Sequence, residues 1–237
     1  MLIALDTATR QATIALGEAT GRWVAGRDWE AGHGHSGSLL PNLEALLESV
    51  GTGLGEVTGV VVGTGPGSFT GLRVGLATGK ILAYGLRCPI VGVPTMEALA
   101  LAALGGECEA QERLTVLLPA GPTDRYSASV AVGPGARALA LGLVRLEPAT
   151  EAERIGNGTA AAGRLLAVDL RDAAEPEAAD LGRHALAGLG GALLALGGER
   201  LARGDSDDLA VLVPAYVTLP RGVSDAAASI QWSPDLR

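Results

Sequence analysis

Aromatic residues, lysine and cysteine are scarce in this chain of 237 residues. Only three Trp, three Tyr and one Phe are present, and they are scattered, so no platform for stacking nucleic-acid bases is apparent. The formal net charge is −8, whereas a surface that follows a phosphate backbone normally carries an excess of basic residues. The composition therefore argues against strong direct binding of nucleic acid by this chain alone.

The chain also lacks the patterns of a metal site, a membrane span and a signal peptide. Cys88 and Cys108 do not have the spacing of metal ligands, and His33 and His35 have no evident third ligand. No apolar run approaches the roughly 20 residues that span a bilayer. The start of the chain reaches Asp6 without a basic segment, which favours a first strand over a signal peptide. We therefore expect a cytoplasmic protein with no metal site and no membrane association.

Apolar residues are abundant, and their spacing predicts an α/β fold. They make up 48% of the chain, which is ample for a core. Short apolar or alternating runs predict strands, and a 3.6-residue period predicts helices. The predicted strands are 2–6, 12–17, 22–29, 57–62, 89–93, 114–118, 126–132, 138–146 and 210–217. The predicted helices are 38–50, 72–86, 95–104 and 183–203.

Two halves of the chain each begin with antiparallel strands and continue into helices, which indicates a duplicated architecture. The polar, glycine-containing stretch 105–112 is the best candidate boundary between them. We therefore predict an N-terminal subdomain of residues 1–105, a C-terminal subdomain of residues 106–219 and a polar tail of residues 220–237. A nucleotide site would lie in the cleft between the two halves.

The most distinctive stretch is a glycine-rich run over residues 63–75, Gly-Thr-Gly-Pro-Gly-Ser-Phe-Thr-Gly-Leu-Arg-Val-Gly, between a predicted strand and a predicted helix. Glycines permit close approach of the backbone, and free N–H groups at a helix N-terminus attract anions. An acid and two hydroxyls at the end of the first strand could orient a hydrated Mg²⁺ and a phosphate, although they are more typical of a capped hairpin turn. The candidate phosphate or nucleotide site comprises Asp6, Thr7, Thr9, Gly65, Gly67 and Ser68.

Known nucleotide and hydrolase motifs do not fit this region. The stretch 75–81 resembles a Walker loop, but it has one residue too few between its glycines, and Ile81 replaces the Ser or Thr that holds Mg²⁺. Ser68 stands where a dinucleotide fingerprint needs its third glycine. No Ser, His and Asp set can be assembled with confidence, and we expect no catalytic residue.

Several segments occur in the order seen in the TsaB (YeaZ) family. They are Ile3–Thr9, His35-Ser36 followed by Leu39–Pro41, the glycine-rich run, and Gly92–Thr95, and Pro214–Val217 resembles that family's C-terminal strand. The resemblance is strong over residues 1–104 and weak after them. It implies the ASKHA fold, an actin-like and ribonuclease H-like duplicated α/β architecture with two subdomains of mixed sheet flanked by helices.

The resemblance also implies a role in forming N6-threonylcarbamoyladenosine at position 37 of tRNAs that read ANN codons. In that pathway TsaD is the catalytic paralogue, TsaB is its non-catalytic scaffold or activator, and TsaE is an ATPase that joins them. TsaD-like enzymes carry a His-x-x-x-His metal pair on the helix that here begins near Thr95, and Thr95 and Leu99 occupy those positions. The implied partners are a TsaD-like paralogue in a heterodimer, a TsaE-like ATPase, a second copy when the chain is alone, and tRNA only through the complex.

Two departures from related sequences bear on nucleotide binding. Actin-like phosphate loops usually have glycine where this chain has Ala8, and relatives usually have an acid and an arginine where it has Pro119 and Gly121. Both changes weaken a phosphate or metal site, so we expect no cofactor to bind this chain tightly. An ASKHA-type ATPase or phosphotransferase that acts through Asp6 and the loop Gly65–Gly71 remains the alternative.

The predicted helices 38–50 and 72–86 are the candidates for a partner surface. Related folds offer similar surfaces, so a heterodimer and a homodimer would compete for one patch. The alternative is that both helices cover only their own sheet. The candidate interface residues are Leu39, Leu43, Leu46, Leu47, Val50, Leu72, Gly75, Lys80 and Ala83.

Overall fold

The computed structural model describes residues 1–30, 35–105, 112–133, 139–150, 164–170 and 174–217. The strands are β1 (Leu2–Asp6), β2 (Gln11–Gly17), β3 (Trp23–Glu30), β4 (Gly59–Gly63), β5 (Ile90–Val93), β6 (Glu112–Pro119), β7 (Asp124–Val132), β8 (Leu139–Leu141), β9 (Arg145–Pro148) and β10 (Arg164–Ala167). The helices are α1 (His35–Ser49), α2 (Phe69–Leu86), α3 (Thr95–Leu104) and α4 (Pro176–Ala202), with a short 3-10 turn at Leu54–Glu56.

The first sheet has the strand order β3-β2-β1-β4-β5. β1 pairs antiparallel with β2 and parallel with β4, and β4 pairs parallel with β5. All residues of β1 and β4 are buried, because helices cover both faces of the sheet. Ile3 and Val60 face α1 and α2, whereas Ala4 and Val61 face α3 and α4. Because successive side chains of a strand point to opposite faces of the sheet, the apolar residues of β1 and β4 are divided between two cores.

The second sheet has the order β10-β6-β7-β8, and β9 also pairs with β7. β6 and β7 form an antiparallel hairpin, and β10 lies parallel to β6. Leu114 and Val116 of β6 belong to the same hydrophobic cluster as Ala4 and Val61 of the first sheet. Residues of α3 and α4 fill the space between them, so one core joins both sheets.

Helix α4 is the central element of that shared core. A side chain at Gly197 would collide with Val61 of β4, so glycine is needed for α4 to approach the first sheet. Of the described residues, only α4 forms a helix long and apolar enough to cross a membrane. That criterion is weak evidence, since Leu189 and Leu193 of α4 are fully buried among both sheets as in a core helix.

The predicted elements of residues 1–104 form, with shifted ends, whereas three later predictions need correction. Helix α4 begins at Pro176 rather than at residue 183, because proline is well suited to a first helical turn. The predicted strand 138–146 is the separate strands β8 and β9. The predicted strand 210–217 is wrong: Leu212 N donates to Asp208 O at 2.9 Å, which bends the chain into a turn.

The division into two subdomains and a tail stays a prediction. Part of the proposed boundary, residues 106–111, lies outside the described residues, as do Cys108, His33 and the whole of 220–237.

The shared core predicts a large effect for truncation within α4. Leu193→Ala removes a side chain that is 0% exposed, and it should lower the free energy of unfolding by about 2–5 kcal/mol. Leu143→Ala is the matched control, since that side chain is 80% exposed and its loss should cost less than about 0.5 kcal/mol. Urea titration monitored by circular dichroism measures both. Equal effects of the two variants would contradict the packing of α4 described above.

Candidate functional site

The turn that joins β1 to β2 meets the glycine-rich run at the edge of a cleft between the two halves. The cleft encloses a cavity of about 660 Å³. Its wall in the first half includes Ala8, Thr9, Gly67 and Ser68. Its wall in the second half is formed by Leu118, Pro119, Gly121, Pro122 and Asp169. The cavity therefore lies where the sequence predicted a nucleotide site.

The carboxylate of Asp6, however, does not reach this cavity. Asp6 is 0% exposed. Its Oδ2 accepts a hydrogen bond from Thr95 Oγ1 at 2.7 Å, and its Oδ1 accepts one from Ala8 N at 2.7 Å. Burial raises the pKa of Asp6 to about 6, although both hydrogen bonds favour the charged form. Both oxygens of Asp6 are thus engaged inside the fold, which favours a structural role for this carboxylate over that of a ligand for a hydrated cation.

Thr95 links Asp6 to the glycine-rich run. Its Oγ1 donates to Asp6 and accepts a hydrogen bond from Gly65 N at 3.0 Å, while Thr95 N donates to Gly65 O at 2.9 Å. These bonds tie together the end of β1, the loop after β4 and the start of α3. Leu99, one turn further along α3, is 0% exposed in the shared core. Neither of these two positions offers a metal ligand.

The threonines of the β1–β2 turn also point inward. Thr7 Oγ1 donates to Gly71 O at 2.6 Å, and Thr9 Oγ1 donates to Gln11 O at 2.8 Å. Together with the bond from Ala8 N to Asp6, these contacts are those of a capped hairpin turn. The geometry thus favours the alternative that the sequence left open at this position.

The glycines of the run serve backbone packing against the same turn. Side chains at Gly67 and Gly71 would collide with the carbonyl oxygens of Ala8 and Thr7. Ser68 N donates to Ala8 O at 2.7 Å, and Ser68 Oγ caps α2 by accepting from Gly71 N at 3.2 Å. The unusual glycine content therefore follows from the contact between two backbone segments and does not require a phosphate.

Most of the predicted interface residues lie inside the chain. The buried ones are Leu39, Leu43, Leu46, Leu47, Leu72, Gly75 and Ala83. Val50 is half-buried against the α1 and α2 core, and Lys80 Nζ donates to Leu212 O at 2.8 Å. Their assignment to a partner surface is corrected, because an apolar stripe on a helix first covers the helix's own sheet.

The exposed apolar side chains of these helices are different ones. Leu40 of α1 is 55% exposed, and Ile81 and Tyr84 of α2 are 71% and 78% exposed. Ala77, Ile81 and Tyr84 are spaced by four and three residues, which places them on one face of α2. Neither Ile81 nor Tyr84 was among the predicted interface residues.

One surface cluster was not predicted. The guanidinium carbon of Arg73 lies 3.9 Å from the centre of the Phe69 ring, and Arg73 Nε donates to the Tyr216 hydroxyl at 3.1 Å. The Phe69 and Tyr216 rings are 5.5 Å apart between their centres.

In the part of the chain that the structure describes, no group of three or more His, Cys, Asp or Glu side chains could hold a metal ion.

Comparison with known proteins gives a consistent result. A family model described as TsaD, tRNA N6-adenosine threonylcarbamoyltransferase, matches residues 29–142. A solved structure of YeaZ from Pseudomonas aeruginosa has a TM-score of 0.71 and 27% identity, and the match covers 91% of this chain and 99% of that one. A second one from that organism, described as an uncharacterized protein with similarity to peptidase YeaZ, has a TM-score of 0.71 and 28% identity, with coverage of 92% and 99%.

The chain is similar to YeaZ over more than nine-tenths of its length. The resemblance to the TsaB (YeaZ) family is thereby confirmed, and so is the ASKHA fold of two mixed sheets flanked by helices. The match to the TsaD family model shows a similarity to that family over residues 29–142. No curated protein matches the chain.

The buried carboxylate predicts a distinctive pH dependence of stability. Because the pKa of Asp6 is about 6 in the folded chain and 3.8 for an aspartate exposed to water, the folded state holds a proton that the unfolded state has released between these values. Its contribution to stability is full below about pH 4 and falls by up to about 3 kcal/mol as pH rises through 6. In Asp6→Asn this loss should be absent, so the variant should gain stability relative to the wild type between pH 4 and pH 7.

Urea unfolding of both proteins at pH 4.5 and pH 7.5 measures this change. Glu44→Gln, on the exposed side of α1, serves as the matched control and should leave the pH profile unaltered. A difference between wild type and Asp6→Asn that is the same at both pH values would show that the pKa of Asp6 is ordinary.

Proposed function

We propose that this chain is a non-catalytic scaffold or activator subunit of a cytoplasmic complex. The complex would contain a TsaD-like enzyme and a TsaE-like ATPase and would form N6-threonylcarbamoyladenosine at position 37 of tRNAs that read ANN codons. The likeness to YeaZ over more than nine-tenths of the chain supports this context, and so does the match to the TsaD family model.

The observation that carries the non-catalytic role is the state of α3. Thr95 and Leu99 occupy the positions where TsaD-like enzymes have their histidine pair. In this chain the Thr95 hydroxyl bonds to Asp6 and Gly65, and the Leu99 side chain is buried in the core. A metal site at this helix would have to displace both sets of contacts. The same helix therefore maintains the fold of this chain and leaves the chemistry to the paralogue.

We propose the exposed stripe of α2, residues Ala77, Ile81 and Tyr84, as the centre of the partner surface, with Leu40 of α1 beside it. α1 and α2 lie on the same face of the first sheet and contact the same core, so the two helices form one continuous side of the molecule. Exposed large apolar side chains on adjacent helices are a common basis for association. A second copy of this chain would use the same stripe when the paralogue is absent.

A pull-down of the purified chain with the TsaD-like protein of its own organism tests this proposal. We expect a complex, and we expect modification of tRNA to require both proteins together with the TsaE-like ATPase and ATP. Ile81→Glu should weaken the complex at least about tenfold, since it places a charge on the apolar stripe without disturbing the core. Leu143→Glu, at another highly exposed leucine, is the matched control and should bind as the wild type does.

The outcomes separate the proposal from its rivals. If no complex forms, the scaffold role is lost; if both variants bind equally well, the role stands but the surface is elsewhere.

Calorimetry of the isolated chain with ATP and Mg²⁺ addresses the ATPase alternative. We expect no micromolar binding, because Asp6, Thr7 and Thr9 direct their polar atoms inward. Binding at that level would favour an ATPase or phosphotransferase.

A further inference from the structure

The residues after α4 form a strap (residues 205–217) along the open edge of the first sheet. β5 is the last strand at this edge. Asp207 N donates to Ile90 O at 2.8 Å, and Gly92 N donates to Asp207 Oδ2 at 2.7 Å. A neighbouring parallel strand would make the same pair of bonds through the N–H and C=O groups of one residue. In the strap, the carboxylate of Asp207 takes the place of that C=O group.

This first anchor is fixed to the last turn of α4. Arg200 Nη2 donates to Asp207 Oδ1 at 3.1 Å, and Arg200 Nη1 donates to Gly92 O at 2.9 Å. Arg200 Nε also donates to Asp205 Oδ2 at 2.7 Å. One guanidinium therefore holds the start of the strap and the middle of β5 together.

A second anchor lies at the other end of the strap, on the glycine-rich run. Ala215 N donates to Thr64 O at 2.8 Å. The next residue, Tyr216, packs against Phe69 and accepts the hydrogen bond from Arg73. Thr64 and Phe69 flank the loop whose Gly67 and Ser68 line the cleft, so this anchor lies next to that loop in the chain.

Between the anchors the strap is held by few contacts. Leu209 and Leu212 pack against the core of the first sheet, and Leu212 O accepts the bond from Lys80. Gly92 leaves the room for this, because a Cβ atom there would lie 2.7 Å from Leu212 Cδ1. Val211 and Val213, in contrast, are 70% and 62% exposed. A segment with so little buried apolar surface opens at a lower free energy than the whole fold.

We propose that the strap is a clasp that opens as a unit while the rest of the chain stays folded, and that its two anchors couple the edge of β5 to the glycine-rich run. When closed, it covers backbone groups that would otherwise pair with another extended chain. When open, it exposes that edge and leaves the carbonyl oxygen of Thr64 without its bond to Ala215 N. The clasp is a property of the isolated chain and does not depend on the partner proposed above.

Hydrogen exchange followed by mass spectrometry on the full chain tests the clasp. In Asp207→Ala, exchange should rise at least about tenfold both at residues 90–93 and at the distant second anchor, where Ala215 N donates to Thr64 O, and by less than about twofold at residues 2–17. Asp180→Ala, an exposed acid at the other end of α4, is the matched control and should change none of these segments. Tyr216→Phe removes the hydroxyl that Arg73 bonds to at the second anchor, and it should accelerate exchange at residues 90–93, next to the first anchor. Tyr84→Phe, at an exposed tyrosine outside the strap, should not.

Each other result would overturn the proposal. A rise at residues 90–93 alone would mean that the anchors are not coupled. A rise throughout the chain would mean that the strap is part of the global folding unit. No change in either variant would mean that Asp207 and Tyr216 do not hold the strap. Because Tyr216→Phe removes only one hydroxyl, it keeps the test decisive if Asp207→Ala does not fold.

Discussion

The hydrogen bond between Asp6 and Thr95 is the contact on which the organisation of the site depends. It joins residues 89 positions apart in the chain, and both side chains are completely buried. Through Thr95 the same network fixes Gly65 and, with it, the loop that leads into α2. A buried carboxylate is costly unless it is well bonded, so this contact leaves little freedom to the segments that it connects. A cavity lies beside this network. The polar groups of Asp6, Thr7 and Thr9, which belong to the candidate nucleotide site, instead make hydrogen bonds within the fold.

The glycine-rich run shows how a motif can keep its sequence for a reason unrelated to ligand binding. A turn and a loop that contact each other through their backbones need glycine on at least one side, because any side chain would separate them. Ser68 Oγ accepts a hydrogen bond from Gly71 N, one of the N–H groups at the helix N-terminus that would otherwise attract an anion. Residue types alone do not distinguish these two uses. The distinction depends on what lies opposite each glycine, and that is set by residues far away in the chain.

The sequence allowed the first sheet and α1 to α3 to be predicted because their apolar periods are clear and their connections short. It did not allow prediction of which apolar stripe faces outward. Leu46 and Ile81 are equally apolar, but one covers its own sheet at 6% exposure and the other is exposed at 71%. The strap was mistaken for a strand because Val211 and Val213 alternate as strand residues do, whereas its path is set by Asp207 and Tyr216. Local pattern could not reveal either anchor, since each is a contact between distant parts of the chain.

The placement of Thr95 and Leu99 also makes a pair of histidines difficult to introduce on α3. A histidine at position 95 would abolish the bonds to Asp6 and Gly65, and one at position 99 would have to fit into a core where leucine is 0% exposed. Each step alone would harm folding before any metal could bind, and the benefit would come only after both. The packing and hydrogen bonding of α3 therefore disfavour a histidine pair at these positions for reasons of folding alone.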